Sequence, residues 1–284
     1  IMTLIAIFNF LIFFQYIRAF NIQNFIQLVQ NKNTQWNVIS NMFSTGPMDG
    51  FFDHDTAVSL YRNVQSQFNN IACPLESIGS TEENRTMYLT CLTLLNKRNG
   101  LNNQQGVFVN SLHHAREVMS LSMQLYTYAH ILYQYFQGDQ KTIEFLENNV
   151  IWFVPAVNVD GYEYLKQNLN DEDKKLYIRK NRKIEKQCEY DFLQGIDLNR
   201  NYPTAFGIDD IGSLPDQCHL NYRGQQPFSA KETQNIQKFL DQRINIKVAI
   251  NLHSYGNMWL IPFNYINDKE NNLLKQMEKY YLIY

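Results

Sequence analysis

The sequence predicts an α/β protein whose mixed, mostly parallel sheet carries helices on both faces, and three observations lead there. Short apolar runs alternate with stretches of helical apolar spacing, the pattern of strands joined through helices. Three of the runs end in clusters of reactive side chains: His113-His114-Ala115-Arg116-Glu117, Asn158-Val159-Asp160-Gly161 and His253-Ser254-Tyr255-Gly256. Open α/β sheets collect ligands at the carboxyl ends of their strands, so the position of these clusters supports the same fold class. No internal repeat or long low-complexity tract interrupts the chain, and one domain from about residue 51 to 284 is the economical reading.

Taken in order, Thr3–Gln15 is nearly all apolar and is followed by Arg18 and Ala19, so residues 1–19 read as a signal peptide. The run is shorter than the roughly 20 residues a membrane-spanning helix needs, and no stable membrane span is expected. Residues 20–50 are polar and mixed, with turns at Gly46-Pro47 and Asp49-Gly50, and form an N-terminal extension. Independent folding is unusual below about 40 residues, so this extension is too short for a separate pro-domain. Apolar spacing predicts a helix over 56–68, and TMYLTCLTLL over 86–95 predicts a strand, with the charged Glu82-Glu83-Asn84-Arg85 between them. A strand over 106–112, a helix over 118–136, a strand over 150–157, a helix over about 230–242 and a strand over 248–252 follow. The charged run Asn170–Lys175 reads as a solvated loop.

Lys and Arg number 25 against 27 for Asp and Glu, and the net charge of −2 gives no reason to expect nucleic acid as a partner. Specificity must therefore come from a local site. Cys73, Cys91, Cys188 and Cys218 form no CxxC pair, which points to disulfides rather than a zinc ribbon or a thioredoxin-type centre. The triplet Asn84-Arg85-Thr86 is an N-glycosylation acceptor pattern and agrees with a secreted or lumenal location.

His114 and Glu117 form an HxxE pair, and a turn entering a helix places residues three apart on one face. A catalytic zinc takes three N, S or O ligands and keeps a position open, and His253 at a distant strand end supplies the third. The expected cofactor is one Zn2+ per chain held by His114, Glu117 and His253, with His113 beside the ligands or at the surface. Two arginine-bearing clusters, Ile178–Arg182 and Gly195–Tyr202, lie between the ligands in sequence. Arginine grips a carboxylate through two parallel hydrogen bonds, which suits recognition of a free peptide C-terminus.

HAREVMS, NVDG, IRKNR, GIDLNRNY, YRGQQPFSAKET and LHSYG, in that order from about residue 55 to 265, resemble the zinc carboxypeptidases of the carboxypeptidase A/B type. The resemblance implies a three-layer α/β/α sandwich and a monomer that hydrolyses the C-terminal bond of peptides or proteins with a zinc-activated water. It implies that His114, Glu117 and His253 are the zinc ligands, that Asn199 and Arg200 hold the substrate's terminal carboxylate, and that Arg179 stabilises the oxyanion. Arg116, Ser254 and Tyr255 match residues that contact substrate further along the cleft, and Cys188 with Cys218 resembles the family's loop disulfide. Val159 stands where the family usually has proline. The family's general base is a glutamate on a strand well beyond the HSY motif. Here only Asp268, Glu270 and Glu278 follow His253 as carboxylates, too early to match, so the chain reads as a C-terminally incomplete member. Two alternatives stay open: a non-catalytic zinc- or peptide-binding relative that has lost its base, and a zinc amidohydrolase of the aspartoacylase type.

Overall fold

A computed structural model describes residues 20–94 and 105–260. The signal-peptide reading of residues 1–19 and the carboxylates Asp268, Glu270 and Glu278 lie outside the described residues.

In chain order the described elements are α1 (Ile22–Gln30), α2 (Trp36–Ser40), α3 (His54–Gln67), β1 (Glu76–Ser80), β2 (Thr86–Leu92), β3 (Gln105–Asn110), α4 (Val118–Gln137), α5 (Gln140–Asn148), β4 (Asn149–Val154), α6 (Val159–Gln167), α7 (Glu172–Lys175), α8 (Lys231–Asp241) and β5 (Ile246–Asn251). The sheet order is β1-β2-β4-β3-β5. The strands β3, β4 and β5 run parallel, while β2 pairs antiparallel with both β1 and β4. The sheet is thus mixed, with its parallel half built from the three strands whose ends carry the reactive clusters.

β1 escapes the sequence pattern because ESIGS is polar and forms an edge strand, where one side needs no apolar cover. The charged Glu82–Arg85 segment consequently closes a β1–β2 hairpin rather than linking a helix to a strand. The charged run at 170–175 does contain a helical turn, α7, yet none of α7's residues is buried.

Alternation along the strands assigns the two faces. Side chains on a strand point to opposite sides in turn, so Phe108 and its neighbour Trp152 share one face while Val109 and Phe153 share the other. On the first face Phe239 of α8 packs against Phe108 at 5.3 Å and Trp152 at 5.8 Å between ring centroids. On the second face Tyr128 of α4 meets Phe153 edge-on at 5.2 Å, with Tyr61 of α3 behind it at 4.7 Å. Covering both faces is what makes β4 a continuous buried apolar run after its first residue. Gln124 of α4, fully buried, donates to the carbonyls of Val109 (3.2 Å) and Val154 (3.0 Å), which bolts the helix to the ends of β3 and β4.

Residues 20–50 bury Phe25, Ile26, Val29 and Ile39 in the same core despite their polar average. The Trp36 indole N–H donates to the Tyr126 hydroxyl at 2.7 Å, and the Tyr133 hydroxyl donates to the Thr34 carbonyl at 3.1 Å. Both tyrosines belong to α4, so this segment braces the helix that Glu117 caps. Two disulfides, Cys73–Cys91 and Cys188–Cys218, pair all four cysteines.

Candidate metal centre

β3 ends at Asn110, and a seven-residue turn carries the chain into α4. Leu112 in that turn is buried with φ 54°, a left-handed conformation that costs a bulky residue on the order of 1–3 kcal/mol. The turn is held from several sides. The Leu112 N–H donates to Ser120 Oγ at 3.1 Å, its carbonyl accepts from the Asn158 N–H at 2.9 Å, and the Ala115 N–H donates to the Arg179 carbonyl at 3.1 Å. Such support fixes the backbone on which His114 and Glu117 sit.

His114 Nδ1 lies 2.7 Å from Glu117 Oε1, and His253 Nδ1 lies 2.7 Å from Glu117 Oε2. The three residues offer ligand atoms that all fall within 4.8 Å of one another, and they are the one such group among the described residues. His114 is buried, Glu117 is half-buried and His253, just past β5, is exposed, so the group opens to solvent on one side. Burial alone would raise the Glu117 carboxyl, but hydrogen bonds from His114 and His253 hold it well below the usual carboxylate range.

The far side of each imidazole is also engaged. His114 Nε2 donates to Asp197 Oδ1 at 3.0 Å, and His253 Nε2 lies 3.4 Å from Asn199 Nδ2. A carboxylate behind a ligating histidine is the usual device for fixing its tautomer and ring orientation. His114 has a carboxylate oxygen at each ring nitrogen, 2.7 Å from Nδ1 and 3.0 Å from Nε2, and each contact needs a proton or a cation between its two atoms. The residues present therefore fit a metal ion by the chemistry of their donor set.

Arg179 is buried beside this group. Its Nε and Nη2 donate to Asp197 Oδ2 at 3.0 and 2.7 Å, and its Nη1 lies 3.8 Å from Glu117 Oε1. Asp197 itself is fully buried, and it accepts the Asn199 N–H at 3.0 Å as well. Burial pushes its pKa up, but His114 and the Arg179 charge more than offset this and hold it well below the usual range. Asp197 was not singled out from the sequence. The available signal was an aspartate two residues before the Asn199-Arg200 pair, the one acid in the segment Gly195–Tyr202.

The remaining sequence candidates are placed as follows. Arg116 Nη1 donates to the Leu176 carbonyl at 2.6 Å, three residues before Arg179. Arg200 Nε donates to the Gly212 carbonyl at 2.8 Å, which ties it to the loop after Tyr202. Ser254 and Tyr255 directly follow His253, and Tyr255 is fully exposed. His113 lies outside the ligand group and away from the surface: it is buried, hydrogen-bonds Tyr202 Oη through Nε2 at 2.7 Å, and is held neutral by burial, which pushes its pKa down to about 3.

Two chain segments bring Arg179 and Asp197 together. The Asn181 N–H donates to the Ile196 carbonyl at 3.0 Å and Asn181 Oδ1 accepts the Ile196 N–H at 2.7 Å. Gly195 makes the approach feasible, since a Cβ there would lie 1.9 Å from the Asn181 carbonyl oxygen at φ 101°. Asn181 Nδ2 in turn donates to Glu232 Oε2 at 2.9 Å. Burial raises the Glu232 pKa to about 7, against the pull of that hydrogen bond.

A raised carboxyl pKa means that the folded state binds more protons between pH 4 and 7, so this contribution is present at low pH and lost as pH rises. Between pH 4 and 8, Glu232 is expected to remove about 3 kcal/mol of stability, and Glu232→Gln should flatten the profile by that amount. Urea titrations across this range check it. Parallel profiles for the two proteins would mean that Glu232 already folds ionised.

Fold and site together define an α/β protein with a His-Glu-His metal-ligand group at the carboxyl ends of neighbouring parallel strands. A family model described as zinc carboxypeptidase matches residues 58–282, most of the chain, and the protein belongs to that family. Carboxypeptidase B of Astacus astacus is 27% identical over 219 residues, covering 77% of this chain and 66% of the relative. Human mast cell carboxypeptidase A is 31% identical over 189 residues, covering 66% of this chain and 41% of the relative. The chain thus spans between two-fifths and two-thirds of the length of these relatives. Among solved structures, thrombin activatable fibrinolysis inhibitor is similar with a TM-score of 0.67 at 22% identity, over 88% of this chain and 58% of that one. Carboxypeptidase A from Helicoverpa armigera is similar with a TM-score of 0.60 at 22% identity, over 74% of this chain and 47% of that one. At these identities the structural matches speak for the carboxypeptidase-like fold alone.

Proposed function

We propose that the chain carries the zinc site and the substrate-anchoring residues of a zinc-dependent carboxypeptidase that acts on the C-terminal bond of peptides or proteins in an extracellular or lumenal compartment. The observation that carries this reading is the convergence of His114, Glu117 and His253 within 4.8 Å in a member of the zinc carboxypeptidase family. The three would hold one Zn2+, which when bound supplies Lewis-acid polarisation of a carbonyl and activation of water.

The chain's own residues supply the rest. Arg179, fixed on Asp197 through Nε and Nη2, keeps Nη1 toward the ligand group and is the donor for charge that develops on a scissile carbonyl oxygen, a role commonly worth about 3 kcal/mol. Asn199 and Arg200 anchor the terminal carboxylate of the substrate and thereby select chain ends over internal bonds. Arg116, Ser254 and Tyr255 contact substrate residues further from the cleaved bond. The two disulfides accord with an oxidising compartment. Neither the non-catalytic alternative nor the aspartoacylase-type one draws specific support from the family match.

The test is zinc stoichiometry by elemental analysis on the purified chain beside His114→Ala and His253→Ala, with hydrolysis of one peptide bearing a free C-terminus and one bearing an amide. One zinc per wild-type chain, lost in both variants, and cleavage of the free-ended peptide alone is the expected result. Equal zinc content in all three proteins would overturn the site, and cleavage of the amidated peptide would overturn the exopeptidase assignment.

A further inference from the structure

We infer that Asn84, at the tip of the β1–β2 hairpin, is a site of N-linked glycosylation. The chain holds one Asn-X-Ser/Thr triplet without proline at X, Asn84-Arg85-Thr86, and such triplets are modified where they reach a surface loop in a secreted protein. A triplet alone is a weak signal. The structure adds where it lies, what its neighbours do, and which compartment the chain suits.

The hairpin turn is fixed mainly from its inner side. Thr81, buried, donates its hydroxyl to Asp160 Oδ1 at 2.7 Å and accepts the Arg85 N–H at 2.9 Å. The Glu83 N–H donates to Asp160 Oδ2 at 2.8 Å and Arg85 Nη1 donates to Asp160 Oδ1 at 2.8 Å. Asp160 is wholly buried, so the residues on both sides of Asn84 are fastened to one internal carboxylate.

Asn84, with Glu83 beside it, is open to solvent at the tip of the turn. Its backbone N–H donates to the Thr81 carbonyl at 3.1 Å, its φ is 64°, a left-handed value that asparagine tolerates, and its side chain is exposed. No side-chain hydrogen bond ties its amide to a described residue, so a substituent on Nδ2 displaces nothing that holds the turn. Both disulfides are formed, and the compartments that form disulfides in secreted proteins are also those that a glycan acceptor must enter.

The transfer balances with one co-reactant, an oligosaccharide joined to a lipid through pyrophosphate. Asn84 Nδ2 forms a bond to the anomeric carbon of the sugar and gives up one proton, which passes to solvent. The bond from that carbon to the pyrophosphate oxygen breaks, and the lipid pyrophosphate leaves with the electron pair. No oxidation or reduction takes place.

Position in the sheet predicts a functional consequence. β1 is the margin opposite β5, with β2 and β4 between it and the strand that leads to His114 and Glu117. A glycan at Asn84 therefore leaves the metal group accessible, and its removal should not alter zinc content.

The experiment expresses the full chain with its own leader in a eukaryotic secretory host and measures intact mass before and after peptide N-glycosidase, with thiol alkylation to report the disulfides. The expected result is a disulfide-bonded chain whose mass falls on digestion and whose residue 84 is then read as aspartate. The shift should vanish in Asn84→Gln and Thr86→Ala, persist in Thr86→Ser, and leave zinc stoichiometry equal in all. A disulfide-bonded chain with unmodified Asn84 would overturn the inference, and so would a chain that stays reduced and unmodified, because it never reaches the compartment the inference requires.

Discussion

Asp197→Ala is expected to destabilise the protein by about 3–5 kcal/mol, the cost of removing one partner from a buried ion pair. Three donors converge on this carboxylate: Arg179 through two nitrogens, His114 through Nε2 at 3.0 Å, and the Asn199 N–H at 3.0 Å. Neither side-chain donor can turn to bulk water, since Asp197 is fully buried and Arg179 and His114 are nearly so. Under the proposed function the same change should weaken zinc binding by roughly 10–100-fold, because the carboxylate behind a ligating imidazole sets its orientation and basicity. Asp197→Asn separates charge from shape. It keeps one acceptor oxygen but turns an N–H2 toward either Arg179 or His114, so it should lose nearly as much. The depressed pKa of Asp197 gives a pH signature of the corresponding sign: its stabilisation is present above the ordinary carboxylate range and is lost as pH falls below about 4. Urea unfolding and competition with a chromophoric chelator measure the two effects. A loss under about 1 kcal/mol would show that Asp197 is not the electrostatic centre of this site.

Why Asp197 is absent from the sequence reading, while His114, Glu117 and His253 are present, is a matter of how each is specified. HxxE announces itself through local spacing, and His253 through its place at the end of an apolar run; both are properties of short segments. The importance of Asp197 depends on burial and on two partners 18 and 83 residues away, which only tertiary structure brings together. The fold divides along the same line. β3 and β4 are legible because strands buried on both faces must be apolar, and β5 because its core Val248-Ala249-Ile250 is apolar although these side chains are exposed, whereas β1 is a polar edge and carries no such pattern. Residues 20–50 average polar, yet their few large apolar side chains fall at the spacing that α1 needs to face α4.

The Asn158 cluster was recognised as loaded without a role, and the structure supplies one that leads to the second large effect. Asn158 sits fully buried at the end of β4, and its Nδ2 donates to the carbonyls of His113 (3.3 Å) and Arg179 (3.2 Å) while its Oδ1 accepts the Gly161 N–H at 2.9 Å. One side chain thus joins the turn that carries His114 and Glu117, the loop that carries Arg179, and the first turn of α6. Gly161 is required by this arrangement, since a Cβ there would lie 2.6 Å from both the Asn158 amide and the Lys180 carbonyl oxygen. Asn158→Ala takes the partner from the His113 carbonyl and the Gly161 N–H and one of two donors from the Arg179 carbonyl, and is expected to cost about 2–3 kcal/mol, at on the order of 1 kcal/mol for each bond. The more informative consequence is at the metal. Loss of the clamp lets the turn around Leu112 relax from its left-handed conformation, so zinc affinity should fall although no ligand has changed. Asn158→Asp tests the same point from the other side: it keeps the Gly161 bond but replaces the two donated bonds by a carboxylate facing two carbonyl oxygens, and should be at least as damaging. Equilibrium unfolding and zinc competition on both variants distinguish a clamp from a residue that merely fills space. If stability falls while zinc affinity stays at the wild-type value, the turn is held by Ser120 and the backbone bonds Ala115–Arg179 and Asn158–Leu112, and the Asn158 side chain stabilises the core without positioning the ligands.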